Sequence, residues 1–322
     1  MIQSSPPSPP ASTAPAVLRT QNLSRWYGQV IGVNDLTVDV TPGVTGLLGL
    51  NGAGKSTLFK LLAGQLKPST GVVRVYGHDL AHHRGLYRII GFLAEPDALY
   101  ESMTGREMLV YLTRLQGFEK REAEERTAVA LERTHLTEDA DRRVKGYSKG
   151  MRQKIKLAQA LAHDPQILFL DEPFNGMDPV SRRESMDLIQ QLGAEGKTVM
   201  VSSHILHEVE AMTSRILLIH RGQILADGDI GEIRDAIERH PHRIEVSCES
   251  PRDLAREFIA LKDVQGLRVM SETTLLLESD LPRELYRRLP EVALRREMGI
   301  RSWTTLDDNL KSLFEYLVED GR

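Results

Sequence analysis

Hydrophobic residues along this chain follow two rhythms, and the points where one replaces the other predict the architecture. Residues 18–23 and 31–40 read as strands, and the turn Thr41-Pro42-Gly43 leads into an apolar run at 44–48. A segment with helical spacing follows at 57–66, then strand-like segments at 71–77 and 89–93. Thr104-Gly105-Arg106-Glu107 has the spacing of a helix capping box, and Met108, Leu109, Tyr111, Leu112 and Leu115 follow at helical intervals. They open a helical section expected to run to about residue 162. Next, Ile167, Leu168, Phe169 and Leu170 make the unbroken apolar run of a parallel strand buried on both faces. Segments 197–202 and 215–220 repeat that type, with helical stretches at 179–192 and 204–212 between them. Strands alternating with helices predict an α/β domain with a mostly parallel sheet behind a β-rich front end.

After Arg239-His240-Pro241-His242 the rhythm changes. Strand-like segments at 244–247, 267–270, 274–278 and 300–303 interleave with helical ones at 253–261, 282–289 and 306–318. That order predicts a small α+β module over 243–322. At the other end, residues 1–17 are dominated by Pro, Ser, Thr and Ala, with neither a charged start nor an apolar core. They read as a disordered tail, not a secretory signal.

Composition narrows the choices. The 322 residues are 41% hydrophobic, enough for real cores, and no run approaches the roughly twenty apolar residues that cross a bilayer. A net charge of -4 leaves no basic footprint, so no direct nucleic-acid partner is expected. The single cysteine, Cys248, excludes an intramolecular disulfide and reads as a small buried apolar residue. The charge run 119–126 reads as a solvated helix face.

Chemistry enters at Gly49-Leu50-Asn51-Gly52-Ala53-Gly54-Lys55-Ser56-Thr57, which fits G-x-x-x-x-G-K-S/T between a predicted strand and a predicted helix. Glycines let backbone N–H groups converge on phosphates at the positive end of the following helix. Residues Asn51, Gly52, Ala53, Gly54, Lys55, Ser56 and Thr57 are therefore the candidate nucleotide contacts, with Lys55 on the outer phosphates and the Ser56 hydroxyl on magnesium. Asp171 and Glu172 end the buried strand, where α/β proteins place ligand groups. Asp171 can hold magnesium through a water, and Glu172 can take a proton from a water attacking the terminal phosphate. The bland alternative for this pair is a solvated strand end. In Tyr147-Ser148-Lys149-Gly150-Met151-Arg152-Gln153, Ser148 has the look of an N-cap, and with Gly150 it makes a second anion site. Taken alone, that segment is an ordinary capped helix.

Together these residues resemble the ATP-binding subunit of ABC transporters over about residues 18–234. The resemblance implies a P-loop NTPase core with an antiparallel β subdomain and a helical subdomain at about 97–162, the ATP-binding domain spanning 18–238. Tyr147 to Met151 then stands where the family has its L-S-G-G-Q signature, which contacts ATP held by a second copy. Two copies would close head to tail around two ATP molecules, each between Lys55 of one and Ser148 and Gly150 of the other. By the same resemblance Tyr27 stacks on adenine, His204 is the switch histidine at the terminal phosphate, and Asp178 in Asn175-Gly176-Met177-Asp178 communicates between subunits. Core packing is the alternative for Tyr27.

Glu95 departs from the family's usual glutamine; a carboxylate there can still bind magnesium. Lys149 and Met151 also depart, standing for glycine and glutamine. Both signature variants look like those of bacterial drug- and antibiotic-exporter-like systems. The implied partners are a second copy and separate integral membrane permease subunits, placing the chain at the cytoplasmic face of the membrane, with export the implied direction. Leu99, Tyr100 and Met103 are candidates to receive a short helix from the permease, or are simply helix packing. The rival is a non-transport ABC ATPase acting on ribosomes or nucleic acid. One phosphate loop and one signature argue against its translation-associated group, which carries two of each. A small-molecule kinase would leave the signature and His204 unexplained.

Overall fold

The structure is a computed structural model that describes residues 16–95, 98–231, 242–259, 261, 264–279, 282–296 and 299–305. The chain divides into two compact units, Met1–Asp229 and Ile230–Arg322.

The first unit begins with β1 (Leu18–Tyr27), β2 (Val30–Leu36) and β3 (Asp39–Val40), followed by β4 (Gly43–Leu48), α1 (Lys55–Leu62), β5 (Thr70–Val75) and β6 (His78–Asp79). An antiparallel sheet in the order β2-β1-β5-β6, with β3 also on β1, forms the front end. Val17, assigned above to the tail, is buried, donating its N–H to Val40 O at 2.9 Å and accepting from Tyr76 N at 2.8 Å. Sheet pairing thus reaches back past Leu18; residues 1–15 lie outside the described ones.

β4 leaves this layer for a second sheet with β7 (Ile90–Leu93), β8 (Ile167–Asp171), β9 (Thr198–Ser203), β10 (Arg215–His220) and β11 (Gln223–Asp229). Their order is β11-β10-β4-β9-β8-β7, with every pairing parallel except β10 with β11. Every residue of β8 and β9 is buried, which is why their sequences do not alternate. Phe169 and Met200 face the cluster built on Phe59 and Leu62 of α1. Leu168, Leu170, Val199 and Val201 face the opposite cluster, with Ile189 and Leu192 of α5 (Pro179–Ala194). The alternation of a strand has split one apolar run between two cores. Phe59 and Phe169 meet with ring centroids 5.7 Å apart. Phe169→Ala is expected to destabilise this unit by about 3–5 kcal/mol, because the vacated volume is walled by fully buried neighbours. Urea denaturation of the full chain checks this, and an unmoved transition for this unit would contradict it.

The helical section is three α-helices, α2 (Gly105–Leu115), α3 (Lys120–Arg133) and α4 (Lys149–Leu161), around a core that includes Met108, Leu109, Leu131 and Ile155. The capping box forms as expected: Glu107 N donates to Thr104 Oγ1 at 3.1 Å, and Thr104 N to Glu107 Oε2 at 2.9 Å. The charge run lies on α3, where Lys120–Glu124, Arg121–Glu125 and Glu122–Arg126 pair one turn apart. The helix predicted at 204–212 shrinks to α6 (Leu206–Glu210), because Ile205 is extended and donates its N–H to Ser203 Oγ instead.

In the second unit, β12 (His242–Ser247), α7 (Pro251–Phe258), β13 (Val264–Val269), β14 (Thr274–Ser279), α8 (Pro282–Arg296) and β15 (Ser302–Thr305) form an α+β module. Its antiparallel sheet runs β13-β14-β12-β15 around Ile244, Val246, Phe258, Leu275 and Leu289. Cys248 is in that core, and burial pushes its thiol pKa up. The helix predicted at 306–318 lies outside the described residues. Among the described residues no helix is long and apolar enough to cross a membrane.

Candidate active site

The loop between β4 and α1 is shaped by Gly54, whose φ is 110°. A β-carbon there would lie 2.4 Å from Gly32 O, so only glycine closes the loop at this point. Lys55, 6% exposed, folds back so that Nζ donates to Gly49 O at 2.7 Å and reaches Leu50 O at 3.4 Å. The loop walls a cavity of about 350 Å³ lined by Tyr27, Gly32, residues 50–57, Glu95 and Glu172. The N-terminus of α1 opens into it with no acidic residue in the first turn, a setting that favours phosphate.

Across the cavity the acids leave β8. Glu172 adopts left-handed backbone, φ 47°, an unfavourable conformation for a side chain longer than glycine. It is held there by its N–H, which donates to Ser202 Oγ at 2.8 Å, while the Ser202 hydroxyl donates to Asp171 Oδ1 at 2.7 Å. The parallel register that pairs Asp171 with Ser202 makes both bonds possible. Gln153 Nε2, from α4, approaches the Glu172 carbonyl at 3.4 Å. Glu172 Oε2 lies 2.9 Å from His204 Nδ1, and Oε1 lies 3.1 Å from Lys55 Nζ. That second contact is an ion pair without hydrogen-bond alignment, since Oε1 accepts no hydrogen bond among the described residues. One buried carboxylate therefore bridges the phosphate loop and His204.

The signature segment stands apart. Ser148 caps α4, accepting from Met151 N at 3.2 Å, and is exposed. Asp178 caps α5, accepting from Val180 N at 3.0 Å and Ser181 N at 2.9 Å; the Ser181 N–H leads in holding its carboxyl below the usual carboxylate range. Asp178 therefore caps best above the ordinary carboxylate pKa, and the cap weakens as pH falls through its lowered value. None of Ser148, Gly150 and Asp178 lines the cavity, whereas Tyr27, residues 51–57, Glu95 and Glu172 do. Asp171 and His204 join it through Ser202 and Glu172.

Tyr27 is 44% exposed, with the Arg25 guanidinium 5.0 Å from its ring centroid, so core packing does not account for it. Among the residues expected to receive a permease helix, Leu99 and Met103 instead pack against the helical core. Tyr100 alone of the three stays exposed, edge-on to Tyr111 with centroids 6.0 Å apart. Ser202 and Gln153 are site residues that sequence reasoning did not single out. A legible signal existed for Ser202: two serines follow the apolar run Val199-Met200-Val201 at the end of a buried strand.

A family model described as ABC transporter matches residues 33–175. A daunorubicin/doxorubicin resistance ATP-binding protein of Streptomyces peucetius is 33% identical over 92% of this chain and 91% of its own. The chain belongs to the ATP-binding subunits of ABC transporters. A bacitracin transport ATP-binding protein of Bacillus licheniformis is 35% identical over 95% of this chain and 98% of its own. Among solved structures, an ATP-binding subunit of an ABC transporter matches with a TM-score of 0.62 and 30% identity, over 69% of this chain and 93% of that one. A dimeric bacterial ABC transporter cassette, 22% identical with a TM-score of 0.62 over 66% of this chain and 98% of its own, shares the fold. As an ABC transporter subunit, the protein binds ATP and hydrolyses it to power transport. Relatives that are transporter subunits favour that reading over a ribosome or nucleic-acid clamp.

Proposed function

We propose that two copies of this chain close head to tail on two ATP molecules, and that closure and reopening drive export through separate membrane permease subunits at the cytoplasmic face. One observation carries the reading: Ser148 is exposed at the N-terminus of a capped helix, where the helix dipole favours an anion, yet lies off the cavity that Lys55 and Glu172 line. A second copy supplies the missing wall. Tyr27 would stack on adenine, a contact of roughly 1–3 kcal/mol by analogy with base stacking. Glu172 would accept the proton of the attacking water, with His204 holding its Oε2. Asp178, exposed beside the signature, would face the partner. Export follows from relatives named for drug resistance and bacitracin transport.

The residues fit magnesium. Asp171 is 1% exposed and its Oδ2 has no hydrogen-bond partner among the described residues, an orphaned carboxylate oxygen of the hard kind that magnesium takes. Ser56 and Glu95, which line the cavity, would add two further oxygen donors. Bound there, the ion would neutralise charge on the transferring phosphoryl group.

Light scattering tests the dimer. Glu172→Gln protein, which traps ATP on this reading, should become dimeric with ATP and magnesium, and Ser148→Arg should abolish that dimer. A monomer at saturating ATP would overturn the proposal.

A further inference from the structure

We infer that Glu208 and Arg182 are a positioning pair that ties the loop carrying Asp178 to the loop carrying His204. The inference deepens the composite-site reading and rests on it. Glu208, in α6, is 4% exposed, and each of its oxygens has a separate partner. Oε2 accepts from the Ser203 hydroxyl at 2.8 Å, and the same Ser203 oxygen accepts from Ile205 N at 3.0 Å. The residues on both sides of His204 are therefore pinned through one buried carboxylate. Oε1 lies 3.3 Å from Arg182 Nη1, and Arg182 Nη2 donates a long bond, 3.5 Å, to the carbonyl of Met177, immediately before Asp178.

The end of β9 explains why this device sits here. Ser202 binds Asp171 and the Glu172 N–H, whereas Ser203, its neighbour, binds Glu208. Successive strand residues point to opposite faces, so one strand end holds the reacting acids on one side and the Glu208–Arg182 pair on the other. A buried carboxylate that loses its cation becomes an uncompensated charge, so Glu208 must follow Arg182 or find another partner. Arg182 is in the first turn of α5, the helix that Asp178 caps. A shift of the Asp178 loop on meeting a second copy would thus move Ser203 and Ile205, and with them His204. Glu208 and Arg182 touch neither nucleotide nor metal on this reading; they act through His204.

Steady-state ATPase kinetics of the full chain, with ATP and magnesium, test the pair. Glu208→Gln keeps an acceptor for Ser203 while removing the charge. It should lower kcat roughly 2- to 30-fold while KM for ATP stays within about twofold. Arg182→Met, altering a residue whose side chain is 35% exposed, should do the same with no substitution inside the buried site itself, and Arg182→Lys, which restores a cation for Glu208, should recover part of the loss. In a His204→Ala background, Glu208→Gln should add no further loss, because both changes break one unit. Unchanged kcat in Glu208→Gln and Arg182→Met, with or without a lowered Tm, would overturn the pair. So would losses that multiply with that of His204→Ala, the mark of a merely structural role. A normal rate in His204→Ala would overturn the pair together with His204's part in the proposed site, whereas a slow His204→Ala beside a normal Glu208→Gln rejects the pair alone; failure of the shared site itself shows instead as a monomer at saturating ATP.

Discussion

Glu172→Gln is expected to retain ATP but to turn it over roughly 10²–10⁴ times more slowly, the span for removing a positioned general base. The substitution is nearly isosteric, and the bond that holds the strained backbone, Glu172 N to Ser202 Oγ at 2.8 Å, does not involve the side chain. Position and fold are kept while basicity is lost. The amide can still meet His204, whose Nδ1 lies 2.9 Å from Oε2 in the native protein, though it loses the ion pair of Oε1 with Lys55 as well as the basicity. Single-turnover hydrolysis beside equilibrium ATP binding separates the two effects. Near-normal hydrolysis would remove Glu172 from the role of base.

Lys55→Ala should act on binding instead. Its ammonium is held over the loop by Gly49 O at 2.7 Å, so it is preorganised at the wall of the cavity before any phosphate arrives. Deleting a charged donor of this kind removes about 1.5–3 kcal/mol, so ATP affinity should fall about 10- to 150-fold. Uniform loss in ground and transition states predicts the same proportional fall in kcat/KM. Alanine also leaves Glu172 Oε1 without its 3.1 Å ion pair, an added destabilisation of the empty protein. A nucleotide-binding titration with unchanged affinity would contradict the assignment.

The features legible in the sequence share a cause: their information is local. The phosphate loop needs particular residue types at consecutive positions, and Gly54 can be seen to be required before its φ of 110° is known. β8 was legible because burial on both faces leaves an unbroken apolar run. β11 was not, because Gln223–Asp229 mixes apolar residues with Gly228, Asp227 and Asp229 and owes its form to antiparallel pairing with β10. The shortening of α6 hangs on one hydroxyl, Ser203 Oγ, capturing the Ile205 N–H, a competition that helical periodicity does not register. Leu99 and Met103 looked available because sequence shows apolarity but not which core absorbs it. The supporting bonds of the site span the chain: Ser202 to Asp171 and Arg182 to Glu208 join residues brought together only by the parallel sheet and its helices.

If one ATP is held by Lys55 of one subunit and Ser148 of another, two chains each lacking a different half can complement one another. With ATP held well below the raised KM of Lys55→Ala, the Lys55→Ala and Ser148→Arg proteins are each expected to turn over slowly, since every site in either homodimer lacks one half. Mixed, they form dimers in which the intact Lys55 of one chain meets the intact Ser148 of the other, so ATPase activity should rise above that of both parents. Activity in the mixture no greater than the average of the two parents would contradict a shared site.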